Sequence, residues 1–389
     1  MITQLPSVLC VDDDPSVLEL LTDFLTIQGY EVLTAGNGVE AFLQVKESKP
    51  QIVIMDLFMP QLGGLGALAR IKALQPDIAV ILISGMDSAL DLVGRLEVVP
   101  LPALTAASAS NELIAVPHSL RPLLPRRKFS AYKNQFGRIG VVAGSKGFIG
   151  AAIMTTQGAL RAGAGLVEVF VPEEIYEVVA CAAPMEAMVK PVTSYRDLLK
   201  EKADIWALGP GLGKSRAVEI LELIEKAKQP MVVDADGLNI FAGKISALKR
   251  CKGERLLTPH PGEMRRLFPG KKEPRARTAT KFCNRFPVTL LLKGSRTVVA
   301  ERHRPLSYNT TGNPGMATGG MGDVLTGVCA GLAGQGLSLY DAARLGAWVC
   351  GRAAEIAIFW RGASEESLLA SDVLDHLGDA FNELHSSPI

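Results

Sequence analysis

Apolar residues along this chain fall into short blocks at two spacings. Ser7-Val8-Leu9-Cys10-Val11, Tyr30 to Thr34, Ile52-Val53-Ile54-Met55-Asp56 and Ala79-Val80-Ile81-Leu82-Ile83-Ser84 are compact runs of strand length. Between them, Ser16 to Gln28 and two later segments carry helical spacing. Strands alternating with helices predict a parallel sheet, with Asp12, Asp13, Asp56 and Ser84 meeting at its carboxyl edge. Clustered carboxylates at such an edge call for a divalent cation. Beyond Ser84 the pattern weakens. Glu97-Val98-Val99-Pro100-Leu101-Pro102 is a strand remnant, and Ala103 to Leu113 an Ala/Ser-rich stand-in for a helix.

Residues 114–136 hold Pro117, Pro122, Pro125 and the basic cluster Arg126-Arg127-Lys128, which predicts a linker with at most a short helix. At Gly137 the alternation resumes. Arg138 to Ala143 reads as a strand, Gly144 to Gly150 as a turn, Ala151 to Ala162 as a small-residue helix and Leu166 to Val171 as the next strand. Further strands are expected at Ile205–Leu208, Met231–Asp234, Arg255–Thr258 and Val288–Lys293. The predicted organisation is therefore an α/β domain over 1–113, a linker over 114–136 and a larger α/β domain over 137–389.

Each later strand runs into a polar or glycine-rich motif: Gly209 to Gly213, Asp234-Ala235-Asp236-Gly237-Leu238-Asn239, Thr258-Pro259-His260-Pro261-Gly262-Glu263, and Lys293-Gly294-Ser295-Arg296-Thr297. Singly these are turns, an Asx turn or a solvated hairpin. At successive strand ends they predict one site, because ligands bind beyond the carboxyl ends of strands in open α/β sheets. The most informative segment follows. Gly312 to Asp323 is a glycine-rich turn without charge until its final carboxylate, and a buried helix begins at Val324. Such a loop cradles phosphate at a helix N-terminus. An acid there suits a base that deprotonates a hydroxyl during phosphoryl transfer. The plainer alternative is an N-capping Asp.

Composition excludes several classes. Lys plus Arg number 41 against 40 Asp plus Glu, so there is no basic footprint for nucleic acid. The six cysteines are scattered, without metal-ligand spacing, which predicts reduced thiols in a cytoplasmic protein. No apolar run is long enough to span a bilayer, and a strand begins too early to leave room for a signal peptide.

Val11-Asp12-Asp13, Met55-Asp56-Leu57-Phe58-Met59-Pro60 with Gly63-Gly64, and Ile83-Ser84-Gly85 resemble the receiver domain of bacterial response regulators. The resemblance implies a flavodoxin-like fold, Asp56 as phospho-acceptor, Asp12 and Asp13 with it as Mg²⁺ ligands, and Ser84 as switch hydroxyl. The family's late Lys-Pro has no counterpart, since no Lys occurs between Lys72 and Lys128. A remnant serving as a structural or docking module is the alternative.

From Lys133 to Leu384, about two-thirds of the chain, the resemblance is to the ADP-dependent NAD(P)H-hydrate dehydratases, which have a ribokinase-like three-layer α/β/α fold. It rests on Val142-Ala143-Gly144-Ser145, Ala159 to Val167, Gly209 to Gly213, Asp234 to Asn239, Thr258 to Glu263 and Gly312 to Gly327. It implies dehydration of (6S)-NAD(P)H hydrate to NAD(P)H with release of AMP and phosphate. The co-substrate would be ADP, with ATP as the alternative, together with Mg²⁺. Lys293, Gly294, Ser295, Arg296, Thr297 and Gly322 would contact the nucleotide. Asp323 would contact the substrate and act as base, while Ala151 or Ala152, Gly211 or Gly213, and His260 would line the hydrated dinucleotide pocket. The resemblance also implies a homo-oligomer, such as a tetramer, and a separate epimerase as functional partner. One departure is Met321, where the family more often has Thr or Ser. The competing readings are a ribokinase-like small-alcohol kinase and a nucleotide-sensing signalling protein.

Overall fold

The computed structural model describes residues 6–56, 59, 62–83, 112–271 and 273–386. These fall into two compact units, divided between residues 93 and 94. The first holds β1 (Ser7–Val11), α1 (Pro15–Ile27), β2 (Glu31–Ala35), α2 (Gly38–Ser48), β3 (Ile52–Asp56), α3 (Gly64–Leu74) and β4 (Ala79–Ile83). Its strands form a parallel sheet in the order β2-β1-β3-β4. Alternate residues of β1 face opposite sides: Leu9 and Val11 join the core with Val53 and Met55, while Val8 and Cys10 pack with Leu21 of α1. Asp14 caps α1, its carboxylate accepting the Ser16 N–H at 2.9 Å. Ser84, the strand expected at 97–102 and residues 103–111 lie outside the described residues.

Among the described residues the second unit begins with β5 (Glu112–Ala115) and α4 (Pro117–Leu120), and continues through β6 (Arg138–Val142), α5 (Ile149–Arg161), β7 (Leu166–Pro172), α6 (Tyr176–Ala182), β8 (Ala187–Val192) and β9 (Ile205–Leu208). Then come α7 (Ala217–Lys226), β10 (Met231–Val233), α8 (Ala235–Asn239), β11 (Arg255–Leu257), α9 (Pro261–Leu267), α10 (Arg275–Arg285) and β12 (Thr289–Leu292). The unit closes with β13 (Val298–Ala300), β14 (Leu306–Asn309), α11 (Met321–Gly334), α12 (Leu339–Arg361) and α13 (Ala370–Ser386). Ten strands form one sheet in the order β5-β14-β13-β12-β11-β10-β9-β6-β7-β8, parallel except where β13 meets its two neighbours.

Both faces of the sheet are covered, giving the three-layer sandwich. Ile205 and Ala207 of β9 enter a core shared with α5, α11, α12 and α13. Their alternates Trp206 and Leu208 enter the opposite core with α7 and α10. Strand order reverses between β6 and β9, which opens a crevice at their carboxyl ends.

Residues 112–115 form a strand where the end of a helix and the start of a linker were expected, while the short helix allowed for in the linker is present as α4. β5 pairs in parallel with β14, Thr310 donates its hydroxyl to the Ala115 carbonyl at 2.7 Å, and Leu120 is fully buried. The prolines that suggested a linker sit at helix starts, Pro117 opening α4 and Pro122 a 3₁₀ turn over Arg121–Leu123. Among the described residues no helix is long and apolar enough to cross a membrane.

Candidate active site at the strand-end crevice

Six strand ends, those of β6, β9, β10, β11, β12 and β14, supply loops to the crevice. After β9, Gly209 has φ 127°, and a Cβ there would lie 1.9 Å from the Asp234 carbonyl oxygen. The Gly211 carbonyl accepts the Ser145 hydroxyl at 2.7 Å, and Gly144 N–H donates to the Pro210 carbonyl at 2.8 Å, tying the loops after β6 and β9 together. A Cβ on Gly211 would meet Ala151 Cβ and Phe148 Cβ, each at 2.9 Å, so Ala151 and Gly211 line the same spot. Ala152, the neighbouring candidate, is fully buried and faces Gly144 instead. Gly213 donates its N–H to Asp236 at 2.9 Å, and Asp236 in turn accepts from Asn239. Asp236 and Asn239 thus brace the loop.

The centre of the crevice is a buried ion pair. Asp234, at the end of β10, is 1% exposed and accepts from Lys293 Nζ at 2.8 and 3.1 Å. Its Oδ2 also accepts the Thr326 hydroxyl of α11 at 3.0 Å. Ala235 follows at φ 49°, a left-handed conformation that an alanine adopts only at a cost. Lys293 leaves β12 into the Gly294–Thr297 hairpin, where Arg275 of α10 donates to the Ser295 carbonyl. The sequence reading assigned Lys293 to a nucleotide without foreseeing Asp234 as its partner. No local pattern encodes a pair 59 residues apart.

Against this pair sits the glycine-rich loop. Gly320, at φ 92°, is the N-cap of α11, and a Cβ there would strike Met154 Sδ at 2.5 Å. The first intrahelical bond runs from Val324 N–H to the Gly320 carbonyl. The amides of Met321, Gly322 and Asp323 therefore precede it and remain available to an anion. A Cβ on Gly322 would lie 3.1 Å from both Asp234 Oδ2 and Lys293 Nζ, a tight contact that would make the ion pair give by a few tenths of an ångström. Met321 packs its side chain against the core below.

Asp323 is the third residue of α11 and is not its cap. Its carboxylate has no hydrogen-bond or ion-pair partner among the described residues. Burial, reinforced by the nearby charge of Asp234 and partly offset by Lys293, pushes its pKa up to about 6. His260 caps α9, accepting the Gly262 N–H on Nδ1 at 3.0 Å, with Nε2 3.5 Å from Glu263 Oε1. Its side chain is half exposed.

In the first unit, burial raises the Asp12 carboxyl pKa; the Asp14 N–H bonded to it pulls the other way, and the charges of Asp56 and Asp13 add to the rise. Among the described residues no group of three or more His, Cys, Asp or Glu side chains is placed to hold a metal ion.

A doubly covered parallel sheet, a crevice at its switch point and a glycine-rich helix start bearing a free acid define a ribokinase-like α/β protein. The chain belongs to the NAD(P)H-hydrate dehydratase family, whose sequence model matches residues 139–376, and the response regulator receiver model matches residues 8–99. Among its relatives is the bifunctional NAD(P)H-hydrate repair enzyme Nnr of Moorella thermoacetica, 40% identical over 306 residues, which cover 74% of this chain and 57% of the relative. The chain thus spans little more than half of that protein's length. The ADP-dependent (S)-NAD(P)H-hydrate dehydratase of Neisseria meningitidis serogroup B is 34% identical over 241 residues, 59% of this chain and 80% of the relative. A crystal structure of the ADP/ATP-dependent NAD(P)H-hydrate dehydratase from Bacillus subtilis, co-crystallized with ATP/Mg²⁺, aligns with TM-score 0.63 and 27% identity, covering 71% of this chain and all of that one.

Proposed function

We propose that this chain dehydrates (6S)-NAD(P)H hydrate to NAD(P)H at the expense of ADP, releasing AMP and phosphate. The observation that carries the reading is Asp323: a carboxylate without a partner among the described residues, with pKa raised to about 6, at a helix start that abuts a buried Asp–Lys pair at Gly322. Asp323 takes the proton of the ring hydroxyl while that oxygen attacks the terminal phosphorus of ADP, and AMP leaves. The amides of Met321, Gly322 and Asp323 hold the phosphoryl oxygens as charge builds on them. Expulsion of phosphate, with loss of a neighbouring ring proton, then restores the double bond of the dihydronicotinamide.

Lys293, fixed by Asp234, supplies positive charge beside the phosphates, and residues 294–297 hold the nucleotide. Ala151, Gly211, Gly213 and His260 border the hydrated dinucleotide. Mg²⁺ fits this donor set as a phosphate-bound ion beside Asp323, since such ions are held mainly by water and substrate oxygens, and it would neutralise phosphate charge. The same reading includes a cytoplasmic homo-oligomer, an epimerase as functional partner, and ATP as the alternative co-substrate.

The test is incubation of the full chain with hydrated NADH, Mg²⁺ and either nucleotide, following absorbance of the reduced ring and release of AMP. Recovery of the absorbance supports the reading; none with ADP or ATP overturns it.

A further inference from the structure

The helices α5 and α11 both start at the crevice and run side by side, with Gly158 against Val324 and Gly331 against Ala159. Fourteen residues of α11 carry the chain on the order of 20 Å from Asp323. At that far end lies a second cleft of about 350 Å³. Arg126, Arg127, Arg161 and His385 supply one part of its lining, and Leu124 and Phe381 an apolar part. No Asp or Glu lines it.

Arg127 is built into the wall. Its guanidinium donates to the Gly163 carbonyl and to Gln335 Oε1 at 3.2 Å, and it stacks 3.7 Å from the Phe136 ring centroid. Gln335, the C-cap of α11, donates to the Ala162 carbonyl at 2.7 Å, which closes the floor. Arg126 and Arg161 form no ion pair among the described residues. Burial together with the charges of Arg126 and Arg121 lowers the His385 pKa, a sign that positive charge accumulates in this corner.

Unpaired like charges repel one another, and planar guanidinium forks match phosphate oxygens in pairs. We infer that this cleft is a second anion site, taking a small phosphate-bearing molecule whose apolar body rests on Leu124 and Phe381. Its volume lies near the lower end of small-ligand pockets, which favours a compact phosphoester over an extended chain. The inference does not rest on the dehydratase reading, because no residue of the crevice takes part.

The experiment is calorimetric titration of the full chain with inorganic pyrophosphate and, separately, with AMP. Both are repeated on Arg126→Glu/Arg161→Glu and on the size-conserving Arg126→Gln/Arg161→Gln. The expected result is one binding event lost, or weakened roughly tenfold or more, in both variants, with any event at the crevice unchanged. Unchanged thermal melting of the Gln variant shows that the fold persists. Isotherms of the variants that superimpose on the parent's overturn the inference. So does a parent that binds pyrophosphate only at the crevice.

Discussion

Asp234 grips Lys293 through both carboxylate oxygens, at 2.8 and 3.1 Å, and the start of α11 rests directly on that pair at Gly322. Removing one partner strands a buried charge. Lys293→Met is expected to cost about 3–5 kcal/mol, whereas Asp234→Asn with Lys293→Met should recover a large part of it. Urea denaturation of the two variants measures the difference; equal losses would show that the ion pair does not organise the site.

Asp323 ties pH to both activity and stability. In its proposed role as base it must be ionised, so kcat/KM should fall below about pH 6 with a slope of one proton. Asp234→Asn removes a like charge, so this acidic limb should move to lower pH. A limb that stays in place in that variant would assign it to another group.

The fold disfavours the ionised form of Asp323. The stability it contributes is complete below its ordinary value of 3.8 and is lost as pH rises through about 6. Asp323→Asn should therefore abolish turnover yet melt higher than the parent at pH 7.5, by about 1–2 kcal/mol, with the gap closing near pH 4. Scanning calorimetry at the two pH values tests it, and a variant less stable than the parent at pH 7.5 would refute the buried, disfavoured carboxylate.

The α5–α11 seam should tolerate no added methyl. A Cβ on Gly327 would stand 2.0 Å from the Thr155 carbonyl oxygen, backbone that cannot swing away. Gly327→Ala is expected to lose about 3 kcal/mol or more, or to yield no soluble protein. Gly319→Ala, where open space surrounds the Cβ position, is the control that should fold normally.

Arg255 is 1% exposed, and its guanidinium donates to the carbonyls of Ile224, Ala227, Gln229 and Glu254. Three of these lie at or just beyond the end of α7, which the arginine thereby closes. Arg255→Met leaves those carbonyls unpaired and should cost about 3–5 kcal/mol in chemical denaturation, with little change in KM.

Much of the frame was legible because buried parallel strands are continuous apolar runs stopped by glycine or a polar residue. Ile205–Leu208 and Met231–Val233 are such runs, and their ends carry the crevice. β8 was not read, because it is an edge strand bearing Lys190 and Pro191. β14 was not read, because its two apolar positions, Leu306 and Tyr308, are interleaved with polar Ser307 and Asn309, and β13 is a short run, Val298–Ala300, without a glycine-rich motif of its own behind it. β5 was invisible for a deeper reason: its partner lies nearly two hundred residues away, and Pro117 and Pro122 beside it suggested a loop. At the crevice, the glycine-rich helix start bearing Asp323 was legible as a helix start, but the hold of Asp234 on Lys293, the approach of Gly322 to that pair and the capping role of His260 were not. The first two depend on which elements the fold brings together, whereas the His260 cap is local to residues 260–263.

Among the described strands of the large sheet, β5 is synthesised first, and its partner β14 is synthesised last. The Ala115 carbonyl must wait for a hydroxyl 195 positions later, whereas every pairing among β1 to β4 lies between residues 7 and 83. Closing so long a loop is slow, and the pairing cannot begin until residue 309 has left the ribosome. During translation the pairings among β1 to β4 can form while β5 still lacks its partner β14. The order in which the parts mature therefore differs from their order along the large sheet, and for that interval an unpaired edge strand is exposed to whatever else in the cell can pair with it.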